Sequence, residues 1–129
     1  MALTVLMAQR LRDEIHYDMC GMKELMSYAT GISHYDINIR KEDVENRFDE
    51  TCQGTVPVAL WIIYRSKGFE DAIRQAISLG ADADTLGAIV GGIAEAIWGI
   101  PEWMKEQTLK FLPDEMKVVL SNFYDQRMR

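Results

Sequence analysis

Leu86-Gly87-Ala88-Ile89-Val90-Gly91-Gly92-Ile93-Ala94-Glu95-Ala96-Ile97 is the stretch that decides the fold. Glu95 is its one charged residue; the rest is Leu, Ile, Val, Ala and Gly. A helix that is apolar on every side is expected to be buried on every side. The run is shorter than the ~20 residues a membrane span needs, so it reads as the central helix of a bundle. Glycine costs roughly 1 kcal/mol against alanine inside a helix. Gly87, Gly91 and Gly92 are therefore expected to let neighbouring helices approach closely. Enclosing one helix completely takes a ring of neighbours, and the rest of the chain supplies few. The core is large for its shell, which points to dimerisation through it or to membership of a longer fold.

Outward from that helix, helical spacing continues in both directions. Leu3, Leu6, Met7, Leu11 and Ile15 step by three and four, which predicts an amphipathic helix ending near His16. Met22 to Tyr28 predicts a second, short one stopped by Gly31. Residues 31–55 read as a long loop with one helical turn around Val44 to Phe48. Pro57 suits the first position of a helix running to Arg65. Phe69 to Leu79 follows, and Gly80 suits a left-handed stop. The central helix begins around Asp82 to Thr85 and ends before Gly99 and Pro101. Two more amphipathic helices, 102–111 and 114–127, complete the chain. No segment alternates as a strand does. The fold class is all-α, an orthogonal helical bundle around a buried central helix, over residues 1–129 as a single domain or a fragment of one.

Of the 129 residues, 48% are hydrophobic and 26% charged, which excludes a disordered chain and a collagen-like repeat. With 14 Lys and Arg against 20 Asp and Glu, the net charge is -6. Such a chain has no basic face to track a nucleic-acid backbone, and an anionic membrane would repel it. Cys20 and Cys52 do not form a C-x-x-C pair and are too few for a disulfide framework, so reduced thiols and a cytoplasmic location are expected. The apolar start from Met1 is too short for a span, and its basic residues follow rather than precede it.

The strongest chemical signal is Gly80-Ala81-Asp82-Ala83-Asp84-Thr85. Two carboxylates and a hydroxyl fall together where the apolar helix begins. Hard oxygen donors suit Mg²⁺ or Mn²⁺ rather than zinc. The same residues also suit a plain helix start, since Asp is a favoured N-cap and first-turn acids gain from the helix dipole. From spacing alone the plain helix start is the commoner case, but two carboxylates leading into an apolar helix are harder to dismiss, because burying them without a cation is costly.

The run from Gly68 through Thr85, continued by Leu86 to Ala96, resembles the C-terminal signature of the ADP-ribosylglycohydrolase family. Gly54-Thr55-Val56-Pro57-Val58-Ala59-Leu60 and Trp98-Gly99-Ile100-Pro101 fit the same pattern. The resemblance implies an all-α enzyme that cleaves the glycosidic bond between ADP-ribose and an acceptor, using a pair of Mg²⁺ or Mn²⁺ ions. It implies that Asp82, Asp84 and Thr85 are metal ligands. It also implies that Gln53, Gly54 and Thr55, before a helix N-terminus, line the pocket for ADP-ribose or an ADP-ribosyl substrate.

Two features depart from the family. Ala81 stands where a second glycine is usual; if that site needs positive φ, alanine costs ~1 kcal/mol or more. The family's N-terminal acidic cluster has no counterpart, since no Asp-Asp pair occurs in the chain. The expectation is a C-terminal half that needs an N-terminal half or a second copy, or else a truncated, non-catalytic module binding a cation, ADP-ribose or a protein. His16-Tyr17-Asp18 and His34-Tyr35-Asp36 repeat by coincidence, and Trp61, Trp98 and Trp103 are expected in the core.

Overall fold

A computed structural model describes Ser27, Gly31, residues 38–47, Asp49 and residues 51–127. The helix expected over residues 3–16 lies outside these, as do both His-Tyr-Asp triplets, Cys20 and all of the 22–28 segment but Ser27; Ser27 is helical, and so is Gly31, the expected stop of that helix. Among the described residues the only regular secondary structure is helix. In the compact unit Met1–Gly99 these are α1 (Lys41–Val44), α2 (Cys52–Arg65), α3 (Phe69–Ser78) and α4 (Ala83–Trp98). The second unit, Ile100–Arg129, holds α5 (Glu102–Phe111) and α6 (Asp114–Arg127).

The core of the first unit is made by α2, α3 and α4, each packed on the other two. Ala59 of α2, Ala72 and Ala76 of α3 and Ala94 of α4 are wholly buried. Small side chains at these positions let the backbones approach while Ile62, Ile63, Val90 and Ile93 fill the space between. Each of those larger side chains contributes about 1.5–3 kcal/mol by leaving water. Central α4 buries Leu86, Val90, Ile93, Ala94, Ala96 and Ile97, whereas Ala88 and Gly92 face solvent. Burial is therefore one-sided rather than complete. Among the described residues, only Gly91 of the three α4 glycines meets a neighbour, with Ile73 Cδ1 3.4 Å from where a Cβ would stand; Gly87 and Gly92 meet none.

The helix ends follow from local chemistry. Leu79 leads into Gly80 at φ +69°, and α4 stops at Gly99, φ +72°, whose N–H donates to the Glu95 carbonyl at 2.9 Å. In α3 the first-turn Asp71 accepts from the Lys67 N–H at 2.9 Å, satisfying a donor ahead of the helix. One boundary differs clearly from the sequence expectation. Helix α2 begins at Cys52, five residues before Pro57, because Thr51 caps it: the Thr51 hydroxyl accepts from the Gly54 N–H at 3.1 Å. Pro57 thus lies inside the helix, where it denies the Gln53 carbonyl its usual donor. Gln53 is exposed, so water can take that place. The helical turn expected at Val44 to Phe48 falls earlier, at α1.

In the second unit α5 and α6 expose most of their apolar side chains. Trp103, expected in the core, is 51% exposed and Phe111 86%.

Candidate functional site

A cleft of about 170 Å³ opens in the first unit where the start of α2, the turn after α1 and the start of α4 converge. Its walls include Asp43, Arg47, Asp49, Gly54, Thr55 and Asp82, with Val58, Leu79 and Leu86 as an apolar floor.

The α2 wall is a closed hydrogen-bond relay. Asp49 Oδ1 accepts from the Thr51 N–H at 2.8 Å and from the Thr51 hydroxyl at 2.7 Å. These bonds, the hydroxyl's first, hold the Asp49 carboxyl below the usual carboxylate range. The Thr51 oxygen in turn caps Gly54. A Cβ at Gly54 would collide with the Asp49 carboxylate, so glycine there is what lets the acid close over the helix start. The buried Thr55 hydroxyl is shared between the carbonyls of Asp49 (2.9 Å) and Thr51 (2.8 Å). Gly54 and Thr55 thus shape the cleft while their polar groups serve the fold. The Gln53-Gly54-Thr55 stretch, expected ahead of a helix, is the first turn of α2 itself, and exposed Gln53 is not among the residues lining the cleft.

The facing wall is the start of α4. Asp82 is its N-cap and lines the cleft; Asp84 and Thr85 follow in the first turn, exposed and outside the lining. Hydrogen bonding with the Asp82 carboxyl, and then with the Thr85 N–H at 3.1 Å, holds the Asp84 carboxyl below its usual range. Two carboxyl groups thus stand two residues apart at the start of α4. Their hard oxygens fit Mg²⁺ or Mn²⁺ in kind. In number they fall short, because among the described residues no three His, Cys, Asp or Glu side chains are arranged to hold a metal ion. Ala81 is harmless, since Asn46 is the one non-glycine with positive φ among the described residues.

Asn46 ties the third wall to the second. At φ 56° it donates its N–H to the Leu79 carbonyl at 3.0 Å, and its side chain fills the space where Gly80 would carry a Cβ. Asp43, Arg47 and Asp49 line the same cleft as Asp82. The sequence pattern singles out none of these three. Thr51 was the available signal, a capping residue three positions ahead of Gly54.

The family model for ADP-ribosylglycohydrolase matches residues 3–128. An ADP-ribosylarginine hydrolase Tri1 from Pseudomonas putida is 39% identical over 56 residues, 40% of this chain and 15% of that protein. Its namesake from Serratia proteamaculans is 35% identical over 72 residues, 56% of this chain and 19% of that protein. An uncharacterized protein of Archaeoglobus fulgidus is 33% identical over 86 residues, 65% of this chain and 28% of that one. The matched stretches thus span less than a third of each relative's length. No solved structure gives a significant match. With the match running across nearly its whole length, the chain belongs to the ADP-ribosylglycohydrolase family.

Proposed function

We propose that this chain takes part in metal-assisted hydrolysis of the glycosidic bond between ADP-ribose and an acceptor. The observation that carries the reading is the Asp82–Asp84 pair at the start of α4, with Asp82 lining a cleft that has an apolar floor. Asp82 and Asp84, with the Thr85 hydroxyl beside them, are the residues that would hold Mg²⁺ or Mn²⁺. The bound ion would supply Lewis-acid stabilisation of charge at the breaking bond. Asp84, held low, stays ionised at neutral pH and keeps an anionic oxygen available. Asp49 is a wall: its carboxylate is spent on Thr51 and Gly54 closes against it. Two relatives are named ADP-ribosylarginine hydrolases, which makes ADP-ribosylarginine the first substrate to assay.

Further metal ligands are proposed to come from outside the described residues, in a second copy or a separate N-terminal half. The exposed apolar residues of α5 and α6 offer such a chain a surface. A second reading, a non-catalytic module that binds ADP-ribose, a cation or a protein, rests on the ligand count among the described residues, where no third His, Cys, Asp or Glu joins the pair.

Thermal melts with Mn²⁺ and ADP-ribose separate these from no function at the site. A ligand at ~100 times its Kd stabilises by about 2.7 kcal/mol, a rise of several degrees. The rise is expected in the native protein and absent in Asp82→Asn and Asp84→Asn. No rise in any of the three proteins would sink the hydrolase reading and, within the module reading, the binding of ADP-ribose or a cation. A rise without release of ADP-ribose from ADP-ribosylarginine would leave the binding module.

A further inference from the structure

We propose that Arg47 is the anion-binding residue of the cleft and takes the phosphate groups of its ligand. The inference rests on the reading above only in naming that ligand as ADP-ribose. Arg47 is the one basic residue among those lining the cleft. Other described arginine side chains are engaged elsewhere. Arg40 binds Asp43 through two nitrogens at 2.9 and 3.1 Å, Arg74 reaches Glu70 at 2.7 Å, and Arg65 lies 4.7 Å from the Trp61 ring centre. The Arg47 guanidinium, by contrast, makes no hydrogen bond and no ion pair among the described residues, although three carboxylates share its cleft.

Two of those carboxylates are already committed. Asp43 is held by Arg40, and Asp49 accepts twice from Thr51 through Oδ1. The Arg47 charge acts on Asp43 only from a distance, as the smallest of the effects lowering that carboxyl. Among the described residues no acceptor takes the five N–H donors of this rigid fork, and the fork matches phosphate oxygens two at a time. Its mounting is fixed even though its side chain is exposed. The Arg47 N–H donates to the Val44 carbonyl at 3.2 Å, and the preceding Asn46 is pinned to Leu79 in a conformation non-glycine residues seldom adopt. Such a mount fixes where the side chain leaves the backbone, at the cleft that Asp82 also lines.

The test is calorimetric titration of the full chain with ADP-ribose and with inorganic pyrophosphate, both with Mg²⁺. Native protein is compared with Arg47→Ala, Arg47→Lys and, as a surface control, Arg74→Ala. Arg47→Ala is expected to weaken ADP-ribose about tenfold or more, the usual scale for a lost charged hydrogen bond. Arg47→Lys, which keeps the charge without the fork, is expected between the two, and Arg74→Ala to bind as the native protein does. Unchanged melting of Arg47→Ala would show that the fold is intact. Equal ADP-ribose affinity in native protein and Arg47→Ala would overturn the role of Arg47 and leave the ADP-ribose reading standing. Arg47-dependent binding of pyrophosphate without binding of ADP-ribose would do the reverse. Native protein that binds neither at millimolar concentration would overturn both.

Discussion

Helices α4 and α6 are alike in length and carry apolar residues at helical spacing, yet they meet opposite fates. In α4, Leu86, Val90 and Ile93 are at most 2% exposed. In α6, Met116, Val119 and Phe123 are 55%, 67% and 53% exposed. Spacing writes a helix and the stripe on it, but burial needs a surface shaped to receive the stripe. For α4 that surface exists, because Ala59, Ala72 and Ala76 on α2 and α3 leave room for its branched residues. Met116, Leu120, Phe123 and Tyr124 of α6 fall on one stripe that remains largely open to solvent.

The sharpest way to break that contrast is to remove side chains from each region. Ile62→Ala, at a wholly buried site, is expected to cost about 2–5 kcal/mol in urea unfolding at low protein concentration. Val119→Ala should fall within about 0.5 kcal/mol of the native protein. A Val119→Ala cost approaching that of Ile62→Ala would mean that α6 is covered in solution, and its dependence on protein concentration would then show whether a second copy covers it.

Much of this was legible in the sequence. Glycines at 80 and 99 marked two helix ends because left-handed backbone is cheap only for that residue, and the apolar run 86–97 located the central helix. Pairing of Glu70 with Arg74 followed from their spacing of four. What escaped was set by contacts rather than by period. Pro57 is an apt first residue of a helix, and only the Asp49–Thr51–Gly54 relay moves the start back to Cys52. The 43–49 wall escaped for the same reason. Its placement depends on Asn46 meeting Leu79 and Gly80, residues more than thirty positions away in sequence. Asp82 and Asp84 were visible as a motif, but their spacing did not show that only Asp82 lines the cleft.

One substitution made at two glycines sharpens the distinction between contact and period. Gly80→Ala faces a positive φ and the Asn46 side chain, so it is expected to destabilise by about 1–2 kcal/mol and to loosen the 43–49 wall. Gly92→Ala adds a methyl that meets no neighbour among the described residues, on an exposed helical position, and is expected to stabilise by up to about 1 kcal/mol. Thermal melts of the two variants should move in opposite directions. A destabilised Gly92→Ala would show that the exposed strip of α4 is occupied by another surface.

The smallest effect is one of pH, and it belongs to the cleft and its rim. Asp43, Asp49 and Asp84 all lie below the ordinary value of 3.8 in the folded chain, each through hydrogen bonds the unfolded chain lacks. A depressed acid binds protons more readily unfolded than folded. Its contribution is therefore complete above about pH 4 and is lost as pH falls through the folded value. In α5 and α6, by contrast, the acids Glu102 and Asp114 meet Lys105 and Lys117 in exposed pairs three residues apart. The native chain is expected to hold its melting temperature from pH 7 down to about pH 5 and to lose it below about pH 4. Asp49→Asn keeps an oxygen to accept from Thr51 but removes the charge. The substituted amide does not titrate, so the loss below about pH 4 should be shallower in that variant. Identical slopes would mean that the Asp49 charge contributes nothing to the capping relay, and that the α2 wall is held by Thr51 and Gly54 geometry alone.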